Sequence, residues 1–169
     1  IHGIGPREPW AFGAEVERIA REFFEIRYKL LPYLRGACDL AVKTGLPVMR
    51  SMALTHPDDR VARAFETQFY CGPHLLVMPV LNRDGDVEGY LPEHDGGWYD
   101  LWSGMHVDGG EVVSLNYDLE RIPVFVKAGV ALPIGPVVQS TRPLEGLTPV
   151  VAVAEFGHAE KGGYAVCVR

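Results

Sequence analysis

Apolar and polar positions divide the chain into two textures. Up to Ala41, Val16, Ile19, Ala20, Phe23, Phe24, Arg27, Leu30, Leu31 and Leu34 recur at helical spacing and share one face of a 3.6-residue period. Glu15, Glu17, Arg18, Arg21, Glu22 and Glu25 fall mostly on the other face, with acidic residues in the first turns where the helix dipole favours them. Pro32 removes a hydrogen bond and predicts a kink within one long helix. The pattern resumes through Ala37, Leu40 and Ala41 and stops at Thr44-Gly45-Leu46-Pro47, a glycine exit followed by proline.

Beyond Pro47 short apolar runs alternate with Gly, Pro and Asp. "PVMRSMAL" (47–54), "HLLVMPVL" (74–81), "VEGYLP" (87–92), "WYDLW" (98–102), "EVVSL" (111–115), "IPVFVKAG" (122–129), "VALPIG" (130–135), "TPVVAVAEF" (148–156) and "GYAVCV" (163–168) read as strands. "HPDDRVARAFETQFYCG" reads as a short helix capped by Asp58 or Asp59. Regular short strands point to a sandwich. "STRPLEGLTP" (140–149) reads as a linker to a second β unit, which has too few strands to stand alone. The chain also opens at Ile1-His2 without Met, so both ends read as cut from something longer.

Composition narrows the function classes. A net charge of −6 argues against a phosphate-binding surface, so no nucleic-acid partner is expected. No apolar run is long enough to span a bilayer, and no membrane partner is expected. Cys38, Cys71 and Cys167 lack metal-ligand spacing and read as free, mostly buried thiols. Localisation is left open, with the cytoplasm favoured.

Local chemistry is sparse. "NRDGDVEGYLPE" (82–93) approaches calcium-loop spacing, but Val87 stands where the loop needs Gly. It reads better as a hairpin turned at Asp84-Gly85, with 74–81 and 87–92 as arms. Asp58-Asp59 is an adjacent carboxylate pair, but neighbours along an extended or capping segment point apart. The six His form no i, i+4 pair, so no metal and no cofactor is expected. No G-x-S-x-G elbow occurs. Trp98, Tyr99 and Trp102 are able to stack on sugars, but core packing is their more ordinary use. A non-catalytic sandwich binding carbohydrate through those three rings is the alternative reading.

"IHGIGPREPWAFGAEVERIAREFFEIRYKLLPYL" resembles the C-terminal end of the catalytic barrel of glycoside hydrolase family 31, the retaining α-glucosidases and α-xylosidases. "TGLPVMRSMALTHPDD", "TQFYCGPHLLVMPV", "VEGYLPEHDGGWYDLWSG" and "LERIPVFVKAGVALPIGP" resemble four further family segments in order and spacing, so the likeness runs to about residue 136. The resemblance implies an α+β chain: the terminal helix of a (β/α)8 barrel (1–45), an antiparallel β-sandwich (46–138) and the start of a distal β domain (139–169). It places the catalytic nucleophile and acid/base Asp upstream of residue 1 and assigns no catalytic residue here. His2 corresponds to the His of the family's R-x-H-G loop, which hydrogen-bonds sugar hydroxyls in the −1 subsite; an imidazole donates and accepts.

The implied activity is hydrolysis of terminal α-xylosidic or α-glucosidic bonds by a two-step retaining route. The implied partners are an oligosaccharide or α-glycoside substrate, the N-terminal part of the same polypeptide, and further copies in a homo-oligomeric parent. The isolated chain is expected to be inactive. Three positions depart from the family pattern: Ile4 after His2-Gly3, His56 for a Phe, and Glu66 for an Asp. "PREPWAFG" leans toward the bacterial α-xylosidase type.

Overall fold

The computed structural model describes residues 5 and 7–140 and the backbone of 152–156. The predicted long helix forms as α1 (Ala14–Lys29) and α2 (Leu31–Thr44), broken at Leu30 with Pro32 in the first turn of α2. The break frees the Lys29 carbonyl, which accepts the Gly135 N–H at 2.8 Å. Gly45 ends α2 at φ 77°, a left-handed conformation that Gly adopts without Cβ strain, and its N–H returns to the Ala41 carbonyl at 2.8 Å.

Next come strand β1 (Met49–Ser51), a short helix α3 (Met52–Thr55), and strands β2 (Phe69–Cys71), β3 (Leu75–Val77), β4 (Asp86–Leu91), β5 (Trp98–Asp100), β6 (His106–Val107), β7 (Glu111–Asn116), β8 (Val124–Lys127), β9 (Val130–Ile134) and β10 (Ala152–Phe156). Six of them make an antiparallel sheet in the order β1-β2-β3-β8-β5-β6. β4 pairs with β7, and β9 with β10, in separate ribbons.

Alternation along the central strands sends successive side chains to opposite faces. Tyr70, Leu76, Phe125 and Trp98 pack on one face against Val87, Tyr90 and Leu91 of β4 and Val113 and Leu115 of β7. Leu75, Val126, Val124 and Tyr99 pack on the other against Leu30, Tyr33 and Leu34 of the helices and Leu132 and Ile134 of β9. A strand covered on both faces needs mostly apolar residues, which is why 74–81 and 122–129 read as apolar runs interrupted only by His74 and Lys127. The chain is thus a β-sandwich whose larger sheet carries a helical layer on its outer face.

Four local expectations are corrected. Segment 47–54 is strand only to Ser51, because the Ser51 hydroxyl accepts the Leu54 N–H and starts α3. The helix expected over 56–72 shrinks to a 3-10 turn at Ala62–Ala64, and its last residues become β2. β6 carries too short an apolar run to be read as a strand. Asp84-Gly85 does not turn a β3–β4 hairpin: β3 pairs with β2 and β8, β4 pairs with β7, and the loop crosses between sheets. The linker at 140–149 and the strand at 163–168 lie outside the described residues, apart from Ser140.

Candidate functional site

The described residues contain no convergent catalytic carboxylates. Asp58 is exposed. Asp59 turns back on its own chain: Oδ1 accepts the Val61 and Ala62 N–H groups at 2.9 and 3.0 Å, and Oδ2 accepts the Tyr90 hydroxyl at 3.0 Å. The Ala62 N–H above all, with the Tyr90 hydroxyl and Val61 N–H, holds this carboxyl below the usual carboxylate range. Of the two candidates for capping a helix here, Asp59 bonds the backbone, but what it closes is the short 3-10 turn and not the expected helix.

The calcium-like loop is satisfied from within. Asn82 bonds the Asp86 backbone in both directions, at 2.6 and 3.1 Å, and Asn116 donates to the Asp84 carbonyl and to Asp86 Oδ1, both at 2.8 Å. Among the described residues no three His, Cys, Asp or Glu groups are placed to hold a metal. A cleft of about 870 Å³ opens between this loop, residues 116–122 and Glu15 of α1. Across its rim Arg18 pairs with Glu22 and Glu120, and Arg121 reaches Glu22 at 3.7 Å, ties between exposed groups that add little stability.

The aromatic trio does not form a sugar platform. Trp98 is fully buried, its Nε1 donating to the Pro92 carbonyl at 2.8 Å. Tyr99 faces the helical layer, edge-on to His106. Trp102 is half-buried between Phe23 and the Arg121 guanidinium, with Nε1 on the Ile122 carbonyl. The three rings point to different neighbours, because strand alternation separates Trp98 from Tyr99 and a turn separates both from Trp102. Asp100 organises the turn between Tyr99 and Trp102. Buried, it accepts from Trp102 N, Ser103 N, Ser103 Oγ and the Tyr117 hydroxyl, closing the turn. Nothing in its residue type distinguished it from a surface Asp in the sequence.

His2 lies outside the described residues, as do His158 and Cys167. Of the other His, His94 Nε2 lies 3.2 Å from the Ala128 carbonyl, and His106 Nε2 lies 2.8 Å from the Gly96 carbonyl. His56 and His74 stand near Lys127, and burial, then that ammonium, holds both imidazoles below their ordinary range. Cys71 is half-buried, its thiol pushed up by burial, whereas Cys38 is exposed on α2; the expectation of mostly buried thiols fails there because Cys38 faces away from the sheet that buries Ala37.

α1 differs from α2, which buries Pro32, Tyr33 and Ala37: none of the residues of α1 is buried, and Phe24 is 55% exposed, as are Trp10 and Phe12 of the turn before it at 67% and 62%. Its periodic apolar stripe is the one predicted, but the described residues cover only part of it.

Comparison with known proteins meets these features. The TIM-barrel domain of glycosyl hydrolases family 31 matches residues 1–37, and the family's C-terminal domain matches residues 45–132. An α-xylosidase of Saccharolobus solfataricus is 35% identical over 136 residues, 79% of this chain and 18% of that protein. Alpha-glucosidase 2 of Bacillus thermoamyloliquefaciens is 35% identical over 159 residues, 93% of this chain and 20% of that one. The chain therefore spans about a fifth of these curated relatives. Among solved structures, the GH31 dextranase of Flavobacterium johnsoniae, complexed with isomaltotriose or glucose, superposes with a TM-score of 0.76 at 40% identity, covering 81% of this chain and 17% of that one. A GH31 α-xylosidase from a soil metagenome, complexed with xylose, gives 0.70 at 34%, covering 75% and 19%. The helix with the partly uncovered stripe falls in the match to the barrel, the sandwich in the match to the C-terminal domain, and the chain belongs to glycoside hydrolase family 31.

Proposed function

We propose that the chain is the barrel-closing helix and C-terminal sandwich of a retaining α-glycosidase acting on terminal α-xylosidic or α-glucosidic bonds. The catalytic carboxylates lie outside these 169 residues, and His2 serves as a hydrogen-bonding ligand to the sugar in the −1 subsite. The carrying observation is the apolar stripe of α1, left partly uncovered by the described residues, within residues matched to the barrel and next to a sandwich with its own buried core. A helix with that asymmetry is made to pack on something besides this sandwich. The names of the relatives, α-xylosidase and α-glucosidase, support the bond class.

The division into 1–45, 46–138 and 139–169 belongs to the same proposal. Support comes from the two family matches, which part between residues 37 and 45.

The test uses aryl α-xyloside and aryl α-glucoside. The 169-residue chain should release no phenol from either, because one binding His cannot supply acid and nucleophile chemistry. Turnover by the pure chain would overturn the assignment. In the enzyme encoded by the complete gene, the preferred substrate names the glycone. There His2→Ala should lower kcat/KM on the order of 10²-fold, as expected for losing a hydrogen bond that tightens in the transition state; an unchanged value removes His2 from the site.

A further inference from the structure

One corner of the sandwich gathers positive charge without a counter-ion. The register sets Arg50 of β1 beside Tyr70 of β2 on the face that carries the sandwich core. Lys127 of β8 lies two residues beyond Phe125, hence on that same face. Its ammonium stands 5.1 Å from the centre of the Tyr70 ring and 5.9 Å from that of Trp98. His56 Nε2 lies 2.8 Å from the Tyr70 hydroxyl. Arg50 is only 7% exposed, and its Nε donates to the Pro47 carbonyl at 2.8 Å. Its Nη2 is buried and has no hydrogen-bond partner. Among the described residues neither Arg50 nor Lys127 is in an ion pair.

A buried guanidinium with an unmatched N–H is costly unless a charge and an acceptor answer it. Here the nearest formal charges are of the same sign. Burial and then repulsion by Arg50 hold the Lys127 ammonium below its ordinary range, and His74 is depressed by burial, Lys127, His94 and Arg50. Asp59 acts in the opposite sense on His56, but its oxygens are already occupied by Val61, Ala62 and Tyr90. A compact oxyanion would answer all of these at once: it would accept from Arg50 Nη2, neutralise Lys127, and offer the two-oxygen edge that a guanidinium matches.

We propose that Arg50 and Lys127, flanking the Tyr70 ring, form an oxyanion-binding site for a carboxylate or phosphate group. The group is either a free anion or an acidic side chain brought by another segment of polypeptide; the chemistry recognised is the same.

The test is thermal unfolding of the 169-residue chain titrated with phosphate or acetate at constant ionic strength, chloride being the balance, with the Arg50 Nε–H resonance followed in parallel. A saturable rise in Tm and a shift of that resonance are expected. Both Arg50→Met and Lys127→Met should weaken the apparent Kd at least about tenfold, the value of one charge-assisted hydrogen bond. Arg121→Gln, on the far side of the sheet, should leave it unchanged. Binding of phosphate as well as acetate assigns the site to a free anion, and saturation by acetate alone assigns it to an acidic side chain. No saturable response to either anion, or one undiminished in both variants and so a general salt effect only, overturns the proposal.

Discussion

Gln68 joins the two layers of the sandwich through a side chain that imitates a strand. It is 2% exposed, and its amide Nε2 donates to the Tyr90 carbonyl at 2.7 Å while Oε1 accepts the Tyr90 N–H at 2.8 Å. β4 has β7 on one side, so the outward groups of Tyr90 would otherwise be buried and unmet. The neighbouring Gly89 makes room: a Cβ there would meet Met78 Sδ at 2.3 Å. Gln68→Ala should therefore cost about 2–4 kcal/mol, since two buried backbone groups lose their partner, measurable by denaturant unfolding; a loss below about 0.5 kcal/mol would mean that water replaces the amide. Asp59 gives a pH signature at the same scale. Its folded pKa is depressed, so its contribution is present above the unfolded carboxylate value and is lost as pH falls through the lower, folded one. Asp59→Asn should flatten that part of the acid limb of stability against pH, and an identical limb in the variant would show that other carboxylates set it.

At the scale of elements, one phenol supplies the hydrogen bonds that tie α2 to the β2–β3 turn, beside the apolar packing of Leu34. Tyr33 is 5% exposed; its hydroxyl donates to the Cys71 carbonyl at 2.7 Å and accepts the His74 N–H at 3.1 Å, spanning the β2–β3 turn. Burial pushes its pKa up to about 12, so it stays a neutral donor through the physiological range. Tyr33→Phe keeps the ring and removes both bonds. It should cost about 1–3 kcal/mol and speed hydrogen exchange at the His74 amide more than at Leu76, on the opposite face. Uniform acceleration would place the loss in global stability rather than in this contact. The helix itself was legible, because the 3.6-residue period, Pro32 and the Gly45 exit are local signals. β2 was not: "FYC" is too short for a period, and it is a strand because β1 and β3 offer hydrogen bonds on both sides.

For the molecule as a whole, the asymmetry between a covered sandwich and a partly covered helix has a direct consequence. Trp10, Phe12, Val16 and Phe24 expose apolar surface on and just before α1. The isolated chain should bind a hydrophobic dye and self-associate, as exposed apolar patches do. Phe12→Ser with Phe24→Glu should lower the dye signal severalfold without lowering the unfolding midpoint, because neither side chain is in the core. A dye-negative wild-type chain would mean that the stripe finds cover within the 169 residues.

Local physics, read from the sequence alone, settled the helix with its break and most of the strands, and the resemblance of ordered motifs gave the family. Each of these rests on neighbours in the chain or on motifs in a set order. Pairing across long separations was decided only by the tertiary structure. Asp84-Gly85 looked like a hairpin turn, yet β4 pairs with β7 and lays Val87, Tyr90 and Leu91 on the face of the larger sheet, while both edges of β3 are taken by β2 and β8. Trp98, Tyr99 and Trp102 are adjacent in sequence but serve separate contacts. Arg50 and Lys127 are far apart in sequence and share one corner only because β1, β2, β3 and β8 lie side by side. A residue type states what a side chain can bond; where the fold sets it down determines whether a partner is there to meet it.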